Sequence, residues 1–133
     1  MLGLEDRVHF LGPRDDIEDL YFAADGVILP TRYDAGALIG LEAAASARPL
    51  ITSAQCGPSE MLAEAGCVVD VASDAPAFAR ALDEFASEAM RLRAGRMGRE
   101  IAESHSWHHC AERLHRLYLE VIEKRDSRAP GAF

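Results

Sequence analysis

Short apolar runs alternate with longer amphipathic ones along the chain. Val8-His9-Phe10-Leu11 is an apolar run closed by Gly12-Pro13, which predicts a strand. Ile17, Leu20, Tyr21 and Ala24 then fall at i, i+3, i+4 and i+7, predicting a helix over 17–24 with Asp15 and Asp16 as acidic caps. Gly26-Val27-Ile28-Leu29-Pro30 predicts a second strand, and its unbroken apolar run fits burial on both faces. A polar loop over 31–37 leads into a small-residue helix over 38–47, and Pro49-Leu50-Ile51-Thr52 predicts a third strand. After a loop, Pro58-Ser59-Glu60 opens a short helix that stops at Gly66, and Cys67-Val68-Val69 predicts a fourth strand. Helices follow over 76–87, 89–103 and 107–124, with Trp107, Leu114, Leu117, Tyr118 and Val121 as the buried stripe of the last.

Strands alternating with helices imply βα units and a parallel sheet. The expected fold is α/β: about four parallel strands with helices on both faces, one partial Rossmann-like domain over 1–125 and a frayed tail over 126–133. Ligands in such sheets bind beyond the C-terminal strand ends, which selects the loops over 12–16, 31–37, 53–59 and 70–75.

Composition narrows the function classes. The chain has 133 residues, 49% of them hydrophobic, so one domain with a real core is expected. No apolar run approaches about 20 residues, which excludes a membrane span, and the first ten residues do not read as a signal peptide. The net charge of −8 argues against a nucleic-acid partner or an anionic-membrane surface. Cys56, Cys67 and Cys110 contain no CxxC and no disulfide framework, so reduced thiols and a cytoplasmic location are expected.

The loop over 31–37 carries the most chemistry. Gly36 lets backbone approach a ligand, and the first amides of the following helix are unsatisfied donors that favour an anion. Asp34 precedes them and Glu42 follows. A carboxylate accepts two hydroxyl hydrogen bonds, which suits vicinal sugar hydroxyls. Alternatively Asp34 caps the helix and Glu42 is solvated. Glu42 nevertheless stands among Leu38, Ile39, Gly40, Leu41, Ala43, Ala44 and Ala45, where a carboxylate is costly without a partner.

Other constellations carry less. His105, His108, His109, Cys110 and His115 invite a metal, but three of them are consecutive and point around a helix, so no metal site is expected. Gly57-Pro58-Ser59 is not a nucleophile elbow. Arg91, Arg93, Arg96 and Arg99 read as a solvated face with Glu88, Glu100 and Glu103 as partners.

The segment Tyr33-Asp34-Ala35-Gly36-Ala37-Leu38-Ile39-Gly40-Leu41-Glu42-Ala43, followed by Arg48-Pro49-Leu50-Ile51-Thr52-Ser53, resembles the signature of glycosyltransferase family four. Val8 to Gly12, Tyr21 to Pro30, Cys56-Gly57-Pro58-Ser59-Glu60 and Ser106-Trp107 match its surroundings, so the resemblance spans about residues 5–120. Asp34 is one methylene shorter than the usual Glu, and Gly36-Ala37 stands for the usual Phe-Gly, as in members similar to the lipopolysaccharide-core glucosyltransferases.

The resemblance implies a retaining hexosyltransferase with two Rossmann-like domains, whose C-terminal domain binds a nucleotide-diphosphate sugar as substrate, without a metal or other cofactor. Carried over by position, Glu42 would hold the ribose and Asp34, the candidate catalytic residue, the donor sugar. Gly36, Ala37, Leu38 and Ile39 would meet the diphosphate or sugar, and Phe10 and Gly12 would lie near the base. The family's donor domain normally starts with two further strand–helix units bearing the basic diphosphate clamp. They and the acceptor domain are missing here, so the chain is expected to be an inactive portion alone, with the missing domain or another chain as partner. Peripheral membrane association is expected for a full enzyme only. A non-catalytic nucleotide-, phosphate- or protein-binding module is the alternative. Without those strands, the run over 8–11 is expected to pair with a neighbouring chain or stay loose, while 49–52 pairs with both 26–30 and 67–70.

Overall fold

The computed structural model describes residues 3–127. Its order is α1 (Ile17–Ala23), β1 (Val27–Leu29), α2 (Leu38–Ala45), β2 (Leu50–Ser53), α3 (Ser59–Leu62), a 3-10 turn (Ala63–Ala65), β3 (Gly66–Val69), α4 (Ala75–Glu84), α5 (Glu88–Ser104) and α6 (Trp107–Ser127). The strands form one parallel sheet in the order β1-β2-β3. Val27 stands opposite Leu50, and Leu50 opposite Gly66. The central strand therefore pairs with both of its predicted neighbours.

The four residues of β2 are all buried, because strands flank it and helices cover both faces. Successive strand side chains point to opposite faces. Leu50 packs with Ala44 and Leu62, backed by Val27, Leu29, Ile101 and Ala102, so α2, α3 and α5 cover one face. Ile51 packs with Val69, Phe78 and Ala81, so α4 covers the other. Asp74 caps α4 by accepting from the Ala77 amide at 2.9 Å.

The α5 helix lies against α2 through glycine. A Cβ on Gly95 would come within 2.1 Å of the Ala47 carbonyl oxygen, so only a residue without a side chain allows this approach. The Arg99 guanidinium donates to the Ala45 carbonyl and pairs with Glu103, and Arg91 donates to the Phe85 and Ala86 carbonyls. Arg93, Arg96 and Arg99 are exposed as expected, Arg99 with its expected partner Glu103, and only Arg91 is half-buried against a helix end.

Four expectations are corrected. The sheet has three strands, not four: residues 8–11 form no ladder, and Phe10 is 97% exposed. Among the described residues no strand stands beside them, so the run does not close up against β1. The second strand is not buried on both faces, since Ile28 is 44% exposed: β1 is the sheet edge, and α4 packs beyond it over β2 and β3. Asp16 does not cap α1, because Arg14 takes its carboxylate, with Nε to Oδ1 at 2.7 Å. The expected stripe of α6 is not buried either. The described side chains from Trp107 to Arg125 are all exposed, since α6 turns away from the body after Ser106. That helix also runs two residues past the expected end of order at 125, and residues 128–133 of the expected frayed tail lie outside the described residues.

Candidate functional site

The β1 and β2 strands are parallel, so their C-terminal ends open at the same edge of the sheet. Side chains of β2 hold the departing β1 loop there. Thr52 Oγ1 donates to the Leu29 carbonyl at 2.9 Å, and Ser53 Oγ donates to the Thr31 carbonyl. The two loops then join. The Asp34 amide donates to the Gln55 carbonyl at 3.2 Å, and the Gly57 amide donates to the Asp34 carbonyl at 2.7 Å. Gly57 is obligatory for this contact, because a Cβ there would lie 2.1 Å from the Ala35 carbonyl oxygen. Cys56 is buried at the junction. Tyr33, Ala35, Gln55, Gly57, Ser59 and Glu60 line an open depression of about 440 Å³ over it.

Asp34 does not cap α2. Its Oδ1 accepts from the Gly36 amide at 3.1 Å, closing a turn two residues long. The N-cap of α2 is Ala37, with no side-chain hydrogen bond. The first-turn amides of Leu38 and Ile39 therefore have no acceptor within the helix, and both side chains are exposed. Gly36 has open space around its Cα. Asp34, Gly36, Ala37, Leu38 and Ile39 are thus brought together where loop meets helix.

Glu42 lies one turn further on and is exposed. Its Oε2 accepts a hydrogen bond from the Tyr21 hydroxyl at 2.8 Å. Burial of the Tyr21 ring, then the hydrogen bond and the charge of Glu42, push the phenol up to about 12. Arg48 fixes α1 in place for this contact: its Nε donates to the Tyr21 carbonyl at 3.0 Å and its Nη2 to the Phe22 carbonyl at 2.7 Å. The other side of Glu42 faces a cavity of about 370 Å³, lined also by Leu38, Leu41, His105, Trp107 and Cys110. The carboxylate that looked costly in the sequence is therefore not buried as expected: it is exposed, and one of its oxygens is held by Tyr21.

Phe10 and Gly12 are not gathered into this cluster by any hydrogen bond or packing contact among the described residues. The Phe10 ring is exposed, and Gly12 has a positive φ of 68° with nothing near its Cα. Tyr21 and the Cys56-Gly57 segment are the features that reading the sequence did not assign. Gly57, between Cys56 and Pro58, marked a tight approach; nothing in the periodicity marked Tyr21 as a hydrogen-bond donor. Among the described residues no three His, Cys, Asp or Glu side chains converge. His108 instead lies 3.3 Å from Glu112, and His109 contacts Ser106 at 2.9 Å.

The family described as Glycosyl transferases group 1 matches residues 1–88. A lipopolysaccharide glucosyltransferase of Escherichia coli K12 is 36% identical over 66 residues, half of this chain and 18% of that protein. A D-inositol 3-phosphate glycosyltransferase of Salinispora tropica is 33% identical over 96% of this chain and 27% of its own length. Sucrose-phosphate synthase from Thermosynechococcus elongatus superposes with a TM-score of 0.78 at 30% identity, over 91% of this chain and 32% of that one. The chain spans about a third or less of each of these proteins.

Proposed function

We propose, from the premise that the chain belongs to the group 1 glycosyl transferases, that it binds the nucleotide-diphosphate sugar donor of a retaining glycosyltransferase at the junction of the 31–37 loop with α2. The arrangement of Asp34 and Glu42 around the uncapped N-terminus of α2 carries this reading. The Leu38 and Ile39 amides and the helix dipole receive the diphosphate. Asp34, through the oxygen not engaged with Gly36, accepts from hydroxyls of the sugar. Glu42 accepts from the ribose hydroxyls on its open side while Tyr21 holds its other oxygen. The base lies toward Phe10 and Gly12, and no metal is needed, because the helix supplies the positive potential. A cytoplasmic location goes with this reading, and Cys56 and Cys110 are free thiols.

Transfer needs an acceptor held in line with the donor, and positioning two reactants contributes several kcal/mol to catalysis. Arg14, a basic residue preceding α1, is neutralised by Asp16 and supplies no diphosphate clamp. The 133-residue chain alone therefore binds the donor weakly and transfers nothing.

The test is an NMR titration with uridine and guanosine diphosphate sugars. The amides of Gly36, Ala37, Leu38, Ile39 and Glu42 shift first, and Glu42→Gln weakens binding about tenfold, since one such contact is worth roughly 1–3 kcal/mol. Glutamine keeps an acceptor for Tyr21, so the loss is not one of folding. Shifts confined to α6, or binding indifferent to Glu42→Gln, would reject the site. Turnover above that of a Glu42→Ala control would reject inactivity alone.

A further inference from the structure

Glu42 is exposed, and an exposed glutamate keeps its rotamers free unless something holds it. The Tyr21 hydroxyl does so, donating to Oε2 at 2.8 Å, and among the described residues no second side chain joins it. The donor is itself firmly placed, since Tyr21 is only 8% exposed. The α1 helix that carries it is seven residues long. Isolated helices below roughly 12–15 residues are marginal in water, so outside contacts set the place of α1. Arg48 supplies two of them, donating to the Tyr21 and Phe22 carbonyls at 3.0 and 2.7 Å. Arg48 stands just beyond the end of α2 and Glu42 stands within it, so α1 is tied to the α2 unit at two points.

The hydroxyl and the ligand lie on different sides of Glu42. The cavity of about 370 Å³ beside Glu42 is walled by Leu38 and Leu41 of α2 and by the corner between α5 and α6, and Tyr21 is not part of its wall. The hydroxyl therefore acts on a bound ligand only through the carboxylate. It is a donor throughout the neutral range, because burial and then Glu42 push the phenol up to about 12. With Oε2 engaged, Oε1 keeps both lone pairs for ligand hydroxyls. A carboxylate fixed before the ligand arrives spares binding the cost of ordering a rotamer-rich side chain.

We propose that Tyr21 is a positioning residue for ribose recognition: its hydroxyl orders the Glu42 carboxylate ahead of binding and so sets how strongly the site prefers a ribonucleotide to one without the 2′ and 3′ hydroxyls. This role rests on the assignment of Glu42 to the ribose. A Tyr21 that only held α1 against α2 would affect every nucleotide alike. A positioning Tyr21 affects only those that offer hydroxyls to Glu42.

NMR titration of the 133-residue chain separates the two. The probes are uridine and guanosine diphosphate and their 2′,3′-dideoxy counterparts. Binding is followed at the Leu38 and Ile39 amides, which are assigned to the diphosphate and not to the ribose. The quantity read for each chain is the ratio of the two dissociation constants for one base. Unfolded protein lowers both apparent affinities equally, so this ratio does not move with stability. The wild type prefers the ribonucleotide. Glu42→Ala lowers that preference about tenfold, the worth of one charged contact. Tyr21→Phe keeps the ring, removes only the hydroxyl and lowers the preference about fivefold, the cost of ordering one side chain. In a Glu42→Ala background Tyr21→Phe changes nothing further, because no carboxylate is left to hold. A preference that Tyr21→Phe leaves intact, whether or not both ligands weaken alike, would overturn the role of Tyr21 alone. An effect of Tyr21→Phe that survives in the Glu42→Ala background would put the hydroxyl on the ribose itself and overturn positioning. A wild type without any preference, matched by Glu42→Ala, would remove the ribose assignment and the role of Tyr21 with it.

Discussion

Tyr21 and Glu42 sit on different helices and join through one hydrogen bond at 2.8 Å. The phenol of Tyr21 is raised to about 12 in the fold, from an ordinary value near 10. The unfolded chain therefore gives up this proton first, at about pH 10, while the folded chain keeps it. The stabilisation is complete below about pH 10 and is lost as pH rises to about 12. Chemical denaturation across that range is expected to lose about 1–2 kcal/mol more in the wild type than in Tyr21→Phe. The difference in ultraviolet phenolate titration between the two chains gives the Tyr21 midpoint directly. An identical pH profile in both proteins would show that Tyr21 is not coupled to Glu42. This coupling ties a candidate binding residue to the stability of α1, so nucleotide affinity should follow the same pH window.

At the scale of elements, the contact of α5 with α2 depends on missing atoms. The Gly95 Cα meets the Ala47 carbonyl so closely that a Cβ would lie 2.1 Å from its oxygen. Ala47 itself has a positive φ of 55°, which turns the chain out of α2 toward Arg48 and β2. Gly95→Ala gains intrinsic helix propensity of about 1 kcal/mol but must push α5 away from backbone that cannot yield. Overpacking costs about 1–3 kcal/mol, so net destabilisation is expected, measured as a lower denaturation midpoint. A neutral or stabilised Gly95→Ala protein would show that α5 does not lie this close to Ala47. The same helix supports α2 from behind through Ile101 and Ala102, so this variant should also weaken donor binding at the other end of α2.

For the whole molecule, protection should grade outward from β2. Its four residues are buried, and both of its edges are paired. The amides of His9, Phe10 and Leu11 have no backbone acceptor among the described residues. Hydrogen exchange should find β2 slowest and residues 9–11 near the intrinsic rate at every protein concentration. Protection at residues 9–11 that equals β1 would show a fourth strand in place; protection that grows with concentration would show pairing between chains there. Either result would revise the three-strand sheet.

The parts of this protein legible in its sequence are those fixed by neighbours along the chain. Helix bounds follow from periodicity and from breakers such as Gly66 and Pro49, and the three observed strands follow from short apolar runs between turn signals. The Asp34–Glu42 spacing likewise belongs to one local loop–helix unit, so its place in the chain is legible along the sequence. Contacts between distant segments are not. That Tyr21 is the donor to Glu42 and that Gly57 brings the Cys56 loop under Asp34 depend on which helix lies beside which loop. Periodicity also reports that a face is apolar without reporting what covers it. It carried the same signal for 8–11 and for α6 as for segments that are buried, yet among the described residues neither is buried. Whether an apolar run becomes core is decided by the presence of a second surface, and only the tertiary structure supplies or withholds one.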